Sequence, residues 1–224
     1  TSPAPLYHCG VPAVCVVFTQ NTMLKSLHRE FVTSTWLAPL KDRHPPTRPL
    51  LFQVALLTVP LLPLPDASVD AAVMALVLFF VPDPLQGVRE MVRVVKGGGT
   101  VAAYQWDLDG GGLPLQPILD AVHAEGYKSQ PPPSAWAAAT KASRDLWRSA
   151  DLVDVQTRQF GVSRAFDSFE DYWRTAYGSR RLRDLFASLS PTALQRVYQR
   201  VRRRIGGASN RPLVLTARAN AVSG

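Results

Sequence analysis

A long apolar run at residues 71–81 is the most strongly patterned stretch of the chain. It follows the turn-rich segment 62–70, and Pro82 comes directly after it. A continuous apolar run bounded in this way is typical of a strand that is buried on both faces of a parallel sheet. We therefore expect a buried strand in this run.

The pattern changes to helical spacing after this run. Asp83 predicts a helix N-cap, and Pro84 fits the first helical turn, where a missing N–H costs nothing. Apolar residues then recur on one face, at Leu85, Val88, Met91, Val92 and Val95. Lys96 and glycines 97–99 predict the end of the helix, and 100–106 predicts a second strand. Strand, helix and strand with short connections predict a right-handed parallel crossover.

Later segments predict further elements by the same criteria. Amphipathic helices are expected near 115–122 and 143–150, and helices capped by Ser168 and Ser190 are expected after a strand at 152–163. The segment 213–219 predicts a last strand at the edge region of the sheet, antiparallel to its neighbours.

The central stretch resembles the second half of class I S-adenosylmethionine-dependent methyltransferase domains, of the type 11-like group. Two motifs in order carry this resemblance: Leu-Pro-Leu-Pro-Asp-Ala-Ser-Val-Asp at 62–70, and Arg-Val-Val-Lys-Gly-Gly-Gly at 93–99. It continues more loosely to residue 224. The fold that it implies is α/β, a Rossmann-like and mostly parallel sheet with flanking helices. A helical cap insertion, about 165–206, is expected before the antiparallel last strand.

The resemblance implies S-adenosylmethionine as the cofactor, methyl transfer to a small molecule as the reaction, and a site at the carboxyl ends of the strands. Asp107 is the one candidate base, although methyl transfer needs a base only when the nucleophile is protonated. The residues expected near the cofactor are Leu61, Leu62, Met74, Ala75, Leu76 and Val77. The residues expected on the substrate side are Tyr104, Trp106, Tyr172 and Trp173.

The first 60 residues do not carry the cofactor motif of this family. They are rich in proline, contain Gly10 as their only glycine, and predict strands at 11–18 and 50–59. We therefore expect an atypical, partly disordered segment at 1–60, and a methyltransferase domain part at 61–224 whose first βαβ unit is absent or atypical. The chain is a fragment or mis-assembled product, a divergent member without cofactor, or a protein that builds the site differently; the abrupt change of pattern favours the first.

Composition narrows the environment and the partners. The two cysteines, Cys9 and Cys15, give no disulfide framework or metal pattern, so we expect a reducing, cytoplasmic location and no metal site. No apolar run reaches the roughly 18 residues of a membrane span. The net charge of +8 comes largely from arginines at 174–211, which suits a solvated helix face as well as a nucleic-acid partner.

Three functions therefore stay open. The first is a methyltransferase of small molecules. The second is a non-catalytic methyltransferase-like protein that binds a partner through its covering helices. The third is an RNA-binding or RNA-methylating protein, which the arginines suggest but which lacks an aromatic stacking platform.

Overall fold

This computed structural model describes residues 13–18, 50–54, 62–206 and 212–224. The strands are β1 (Ala13–Phe18), β2 (Leu50–Val54), β3 (Val69–Ala75), β4 (Val95–Trp106), β5 (Gln156–Phe166) and β6 (Leu213–Ser223). The α-helices are α1 (Pro84–Val94), α2 (Gln116–His123), α3 (Thr140–Arg148), α4 (Phe169–Tyr177), α5 (Arg180–Ala187) and α6 (Pro191–Arg204). Short 3₁₀ turns lie at Leu78–Phe80 and Ala135–Ala138.

The strands form one sheet in the order β2-β1-β3-β4-β6-β5. The first four strands of this order are parallel, and β6 is antiparallel to both β4 and β5. The predicted parallel crossover from β3 through α1 to β4 is confirmed, as is the antiparallel last strand. That strand lies in the edge region of the sheet, between β4 and the outermost strand β5.

Two boundaries in the crossover differ from the prediction. The strand ends at Ala75 because Leu76 has a positive φ of 58°. The rest of the apolar run is not a strand, and it is buried except for the half-buried Phe80. The glycines do not end α1; they lie inside β4, which begins at Val95. A Cβ on Gly99 would lie only 2.6 Å from the Asp70 carbonyl oxygen, so glycine here permits close pairing with β3.

The remaining predicted helices and strands are present, but some of their bounds differ from the prediction. The helices capped by Ser168 and Ser190 are confirmed, and each serine side chain accepts a backbone N–H. The strand expected at 152–163 runs instead from Gln156 to Phe166, and α5 was not predicted. Within the atypical segment 1–60, β1 and β2 pair in the sheet, so that part of the first βαβ unit is present. The proposed division at residue 60 stays a prediction.

A partly buried ionic clamp joins α1 to the turn before β3. Glu90 is buried although it carries a carboxylate, and it accepts the Leu62 backbone N–H at 3.1 Å. Arg93 donates to Glu90 and to the carbonyl oxygens of Leu62 and Leu64, and it pairs with Asp66 at 2.6 Å. These hydrogen bonds raise the pKa of Arg93 above its usual value. The clamp fixes the turn segment 62–66 on the helix.

We expect Arg93→Met to lower the free energy of unfolding by about 2 kcal/mol, because it leaves the buried Glu90 carboxylate without its cation. Urea unfolding followed by tryptophan fluorescence measures this change. Arg89→Met, which removes an exposed arginine from the same helix, should change the value by less than about 0.5 kcal/mol. Equal effects of the two substitutions would contradict a specific role for the clamp.

Candidate functional site

A largely apolar cavity of about 400 Å³ lies at the edge of the sheet where β3 and β4 end. Its described lining is made of residues from the ends of four strands, from α2 and α4, and from the loops between them. The lining includes Leu76, Trp106, Gln116, His123, Ser163, Arg164, Phe166, Tyr172, Leu215 and Ala217.

The register of the strands explains why a cavity forms here. Trp106, the last residue of β4, is level with Ala219 of β6, and Ala219 is level with Phe160 of β5. The β5–β6 ladder therefore continues beyond the end of β4, as residues 161–166 and 213–218, which we call the β5–β6 extension. From Ala219 to Leu215 the extension rises by roughly 13 Å at the usual strand spacing. Its inner face forms one wall of the cavity.

The other walls are held by specific hydrogen bonds. The Ser134 hydroxyl donates to the Val81 carbonyl oxygen at 2.7 Å, which fixes the proline-rich loop against the end of the 3₁₀ turn. The Tyr172 hydroxyl donates to the Pro114 carbonyl oxygen at 3.3 Å, and its ring packs edge-on against Phe166. Burial raises the pKa of the Tyr172 hydroxyl above its usual value, so it stays a neutral donor.

The structure places two of the four predicted substrate-side residues on the cavity. Trp106 and Tyr172 line it. Tyr104 is buried two residues further down β4, in the apolar core, and Trp173 stacks on Phe186 between the helices with a centroid distance of 5.2 Å. All four assignments stay predictions about substrate contact, and the geometry favours the first two.

The residues predicted to contact the cofactor divide between the cavity and the core. Leu76 lines the cavity, and its left-handed backbone is held by a hydrogen bond from its N–H to the Tyr104 carbonyl oxygen. The other described members are buried in apolar clusters: Leu62, Met74, Ala75 and Val77. Leu61 lies outside the described residues. The positive φ of Leu76 marks a strained strand end, a feature that clusters at functional sites.

Asp107 is fully engaged by its neighbours. Its carboxylate accepts from the Arg218 guanidinium at 2.7 Å, from Gln159 and Asn220, and from the Gly110 backbone N–H. It is buried and does not line the cavity. These hydrogen bonds fix the glycine-rich loop after β4 on β6. The role of Asp107 as a base stays a prediction.

The site residues predicted from the sequence do not include three polar residues of the lining. His123 lines the cavity, and its Nε2 lies 3.0 Å from the Ser129 hydroxyl. Gln116 lines the cavity two turns earlier on the same face of α2, and it donates to Asp120. Arg164 lies on the β5–β6 extension. The alternation of Val162, Arg164 and Phe166 indicates that they share a strand face, but only the register shows that this face projects beyond the sheet.

Comparisons with known proteins agree with this arrangement. Residues 26–103 match the family model of a methyltransferase domain, so the match begins well before residue 60. A solved structure from Anaeromyxobacter dehalogenans, described as a candidate type II methyltransferase, has a TM-score of 0.55 and 14% identity, and covers 95% of this chain and 89% of its own. A solved structure of a candidate methyltransferase of an antibiotic biosynthesis pathway from Anabaena variabilis has a TM-score of 0.52 and 14% identity. The match covers 94% of this chain and 90% of that chain. These likenesses show the fold. No curated protein matches the chain.

S-adenosylmethionine, which the family implies, presents an ammonium and two ribose hydroxyls, groups that carboxylates recognise. The described lining of the cavity contains no carboxylate, and the described end of β3 contributes apolar side chains. The described residues alone therefore do not fit the polar groups of this cofactor. None of the helices among them has the length and apolar content for a bilayer crossing, and no group of three metal-ligating side chains occurs among them.

We expect Asp107→Ala to lower the free energy of unfolding by about 2 kcal/mol, because Arg218 loses its carboxylate and the loop loses an anchor. Chemical unfolding measures it, with Asp109→Ala, an exposed neighbour in the same loop, as the control. A double-mutant cycle with Arg218→Met should give a coupling energy of about 1 kcal/mol. An unchanged stability with lost activity would instead support a catalytic base.

Proposed function

Because this chain carries a methyltransferase-domain match on a class I S-adenosylmethionine-dependent methyltransferase fold, we propose that it is a methyltransferase that acts on a small apolar molecule. The observation that supports the substrate class is the cavity at the carboxyl ends of β3 and β4. In open α/β sheets, ligands bind at this edge. A cavity of about 400 Å³ is the size of a small-molecule site.

The residues of the chain contribute binding, orientation and exclusion of water. Methyl transfer from a sulfonium is an in-line displacement that depends on alignment of the two reactants and on a dry site. Trp106 and Phe166 supply flat apolar surface on two walls, and Tyr172 closes a third wall with its hydroxyl already hydrogen-bonded to the backbone. His123 is the titratable side chain of the described lining that could accept a proton from a ligand.

A non-catalytic binding protein is the second candidate. The lack of a carboxylate in the described lining favours it, because the same cavity could hold an apolar ligand without any cofactor. The two candidates differ in whether S-adenosylmethionine binds.

Nucleic-acid binding is disfavoured by the pairing of the α6 arginines. Arg196 and Arg200 donate to Glu125 at 2.6 and 3.3 Å, and the hydrogen bond from Arg196 is the main cause of a lowered Glu125 pKa. Arg204 pairs with Asp120 at 2.6 Å. These cations hold α6 on neighbouring helices, so they are not a free phosphate-binding row.

We expect Leu215→Trp to weaken binding of the neutral fluorescent probe N-phenyl-1-naphthylamine at least tenfold, because the larger ring fills the cavity. Fluorescence titration measures the affinity, and circular dichroism checks the fold. Val214→Trp is the matched control, since Val214 is 63% exposed and is the adjacent residue, on the opposite face of β6. Equal affinities of the two variants would contradict ligand binding in this cavity.

We expect S-adenosylmethionine to bind the folded chain with a dissociation constant in the micromolar range, measured by calorimetry at low and moderate salt. Such binding would mean that contacts beyond the described lining complete a cofactor site. No binding at millimolar concentration, together with probe binding in the cavity, would overturn the methyltransferase proposal in favour of the non-catalytic one.

A further inference from the structure

The described lining of the cavity is largely apolar and carries permanent charge of one sign only, which is positive. Arg164 is the one residue with a permanent charge among the described lining residues. Its guanidinium carbon lies 4.8 Å from the centre of the Phe166 ring, which holds it on the cavity wall. No carboxylate of the described residues pairs with Arg164, in contrast to Arg196, Arg200 and Arg204 of α6.

Two carboxylates next to this lining are paired with arginines. Asp120, which accepts from the lining residue Gln116, also pairs with Arg204 at 2.6 Å. Asp107, next to Trp106 in the chain, pairs with Arg218. An anionic ligand group beside Arg164 would therefore meet an unpaired cation, and no described carboxylate of the lining would repel it.

The strand order places this cation at one side of the cavity. Leu76 follows β3 and Arg164 lies on β5, and β4 and β6 lie between them in the sheet. Three strand spacings separate the two sides by roughly 14 Å. The apolar residues Trp106 and Ala217 lie on the strands between the two sides.

From this geometry we infer that the ligand of the cavity is an elongated apolar molecule with one anionic end, which Arg164 binds. The inference rests on the proposed small-molecule function and specifies its substrate class. The anionic end lies on the β5 side, and the opposite end of the molecule lies toward Leu76. The shared chemistry is that of an apolar carboxylate, sulfonate or phosphate monoester.

Two probes with the same ring system test the inference. N-phenyl-1-naphthylamine is neutral, and 8-anilinonaphthalene-1-sulfonate carries one anionic group on the same aromatic scaffold. We expect the full chain to bind the sulfonate at least tenfold more tightly than the neutral probe, a preference that a charge-assisted hydrogen bond can supply. Fluorescence titrations of both probes give this ratio of affinities.

Arg164→Gln should abolish the preference while leaving the affinity for the neutral probe within about twofold. Arg158→Gln is the matched control, because both arginines are exposed on the same strand and only Arg164 lies in the lining. Since both variants lower the net charge of +8 equally, general attraction of anions would affect them alike. The control should therefore retain the preference.

Each other result has a definite meaning. A preference that is absent in the unmodified chain, or that survives Arg164→Gln, overturns the anionic ligand while the neutral probe still supports the small-molecule cavity. A sulfonate that binds equally well to the Leu215→Trp variant is held outside the cavity, which also overturns the inference. If neither probe responds to Leu215→Trp, the proposed cavity function itself fails.

Discussion

The β5–β6 ladder extends beyond the end of β4, and the part of the molecule that surrounds the cavity depends on this difference in length. Because Trp106 is level with Ala219 and Phe160, the β5–β6 extension has no β4 beside it. A two-stranded ribbon is at best marginally stable in water. Its apolar inner face must therefore be covered, and α2 and α4 to α6 provide this cover through the apolar cluster that includes Phe166. The cavity is the volume that remains between cover and sheet.

Ion pairs connect the covering helices to one another. The carboxylates of these pairs are not part of the described cavity lining. Glu125, at the end of α2, is shared by two arginines of α6, and Asp120 takes a third. These pairs bring α2 and α6 together beside the apolar cluster between them. Three arginines of this basic chain are thus engaged in ion pairs between α6 and the α2 region. The one permanent charge that faces the described cavity comes from a strand, at Arg164.

Sequence patterns predicted the features that depend on local spacing of apolar residues. They were wrong where contacts with distant segments of the chain decide the structure. The βαβ crossover follows from the apolar run and the α1 stripe, which are local features. Glycines 97–99 form a good helix stop by local criteria, yet they lie within β4 at a register shift against β3, where Gly99 lies close to the Asp70 carbonyl oxygen. Glu90 lies off the apolar stripe, but Leu62 and Arg93 satisfy its carboxylate and allow its burial.

In the candidate site, too, the local sequence pattern alone does not decide which residues reach the cavity. Tyr104 and Trp106 lie on one face of β4, and both suit a substrate wall by pattern alone. Only the second reaches the cavity, since depth along a strand is set by its neighbours' register and not by its own sequence. Tyr172 and Trp173 are adjacent on α4 and point about 100° apart on the helix. One therefore faces the cavity while the other stacks between helices.

The family match and the cavity walls come from different parts of the chain. Residues 26–103 include β2, β3, α1 and most of β4, whereas the described walls are largely built from 106–217. The shared part of the fold thus carries the sheet and its ligand-binding edge. The walls of the cavity belong largely to α2, α4 and the β5–β6 extension. We therefore expect the ligand preference of the cavity to depend on residues outside the segment that matches the family model.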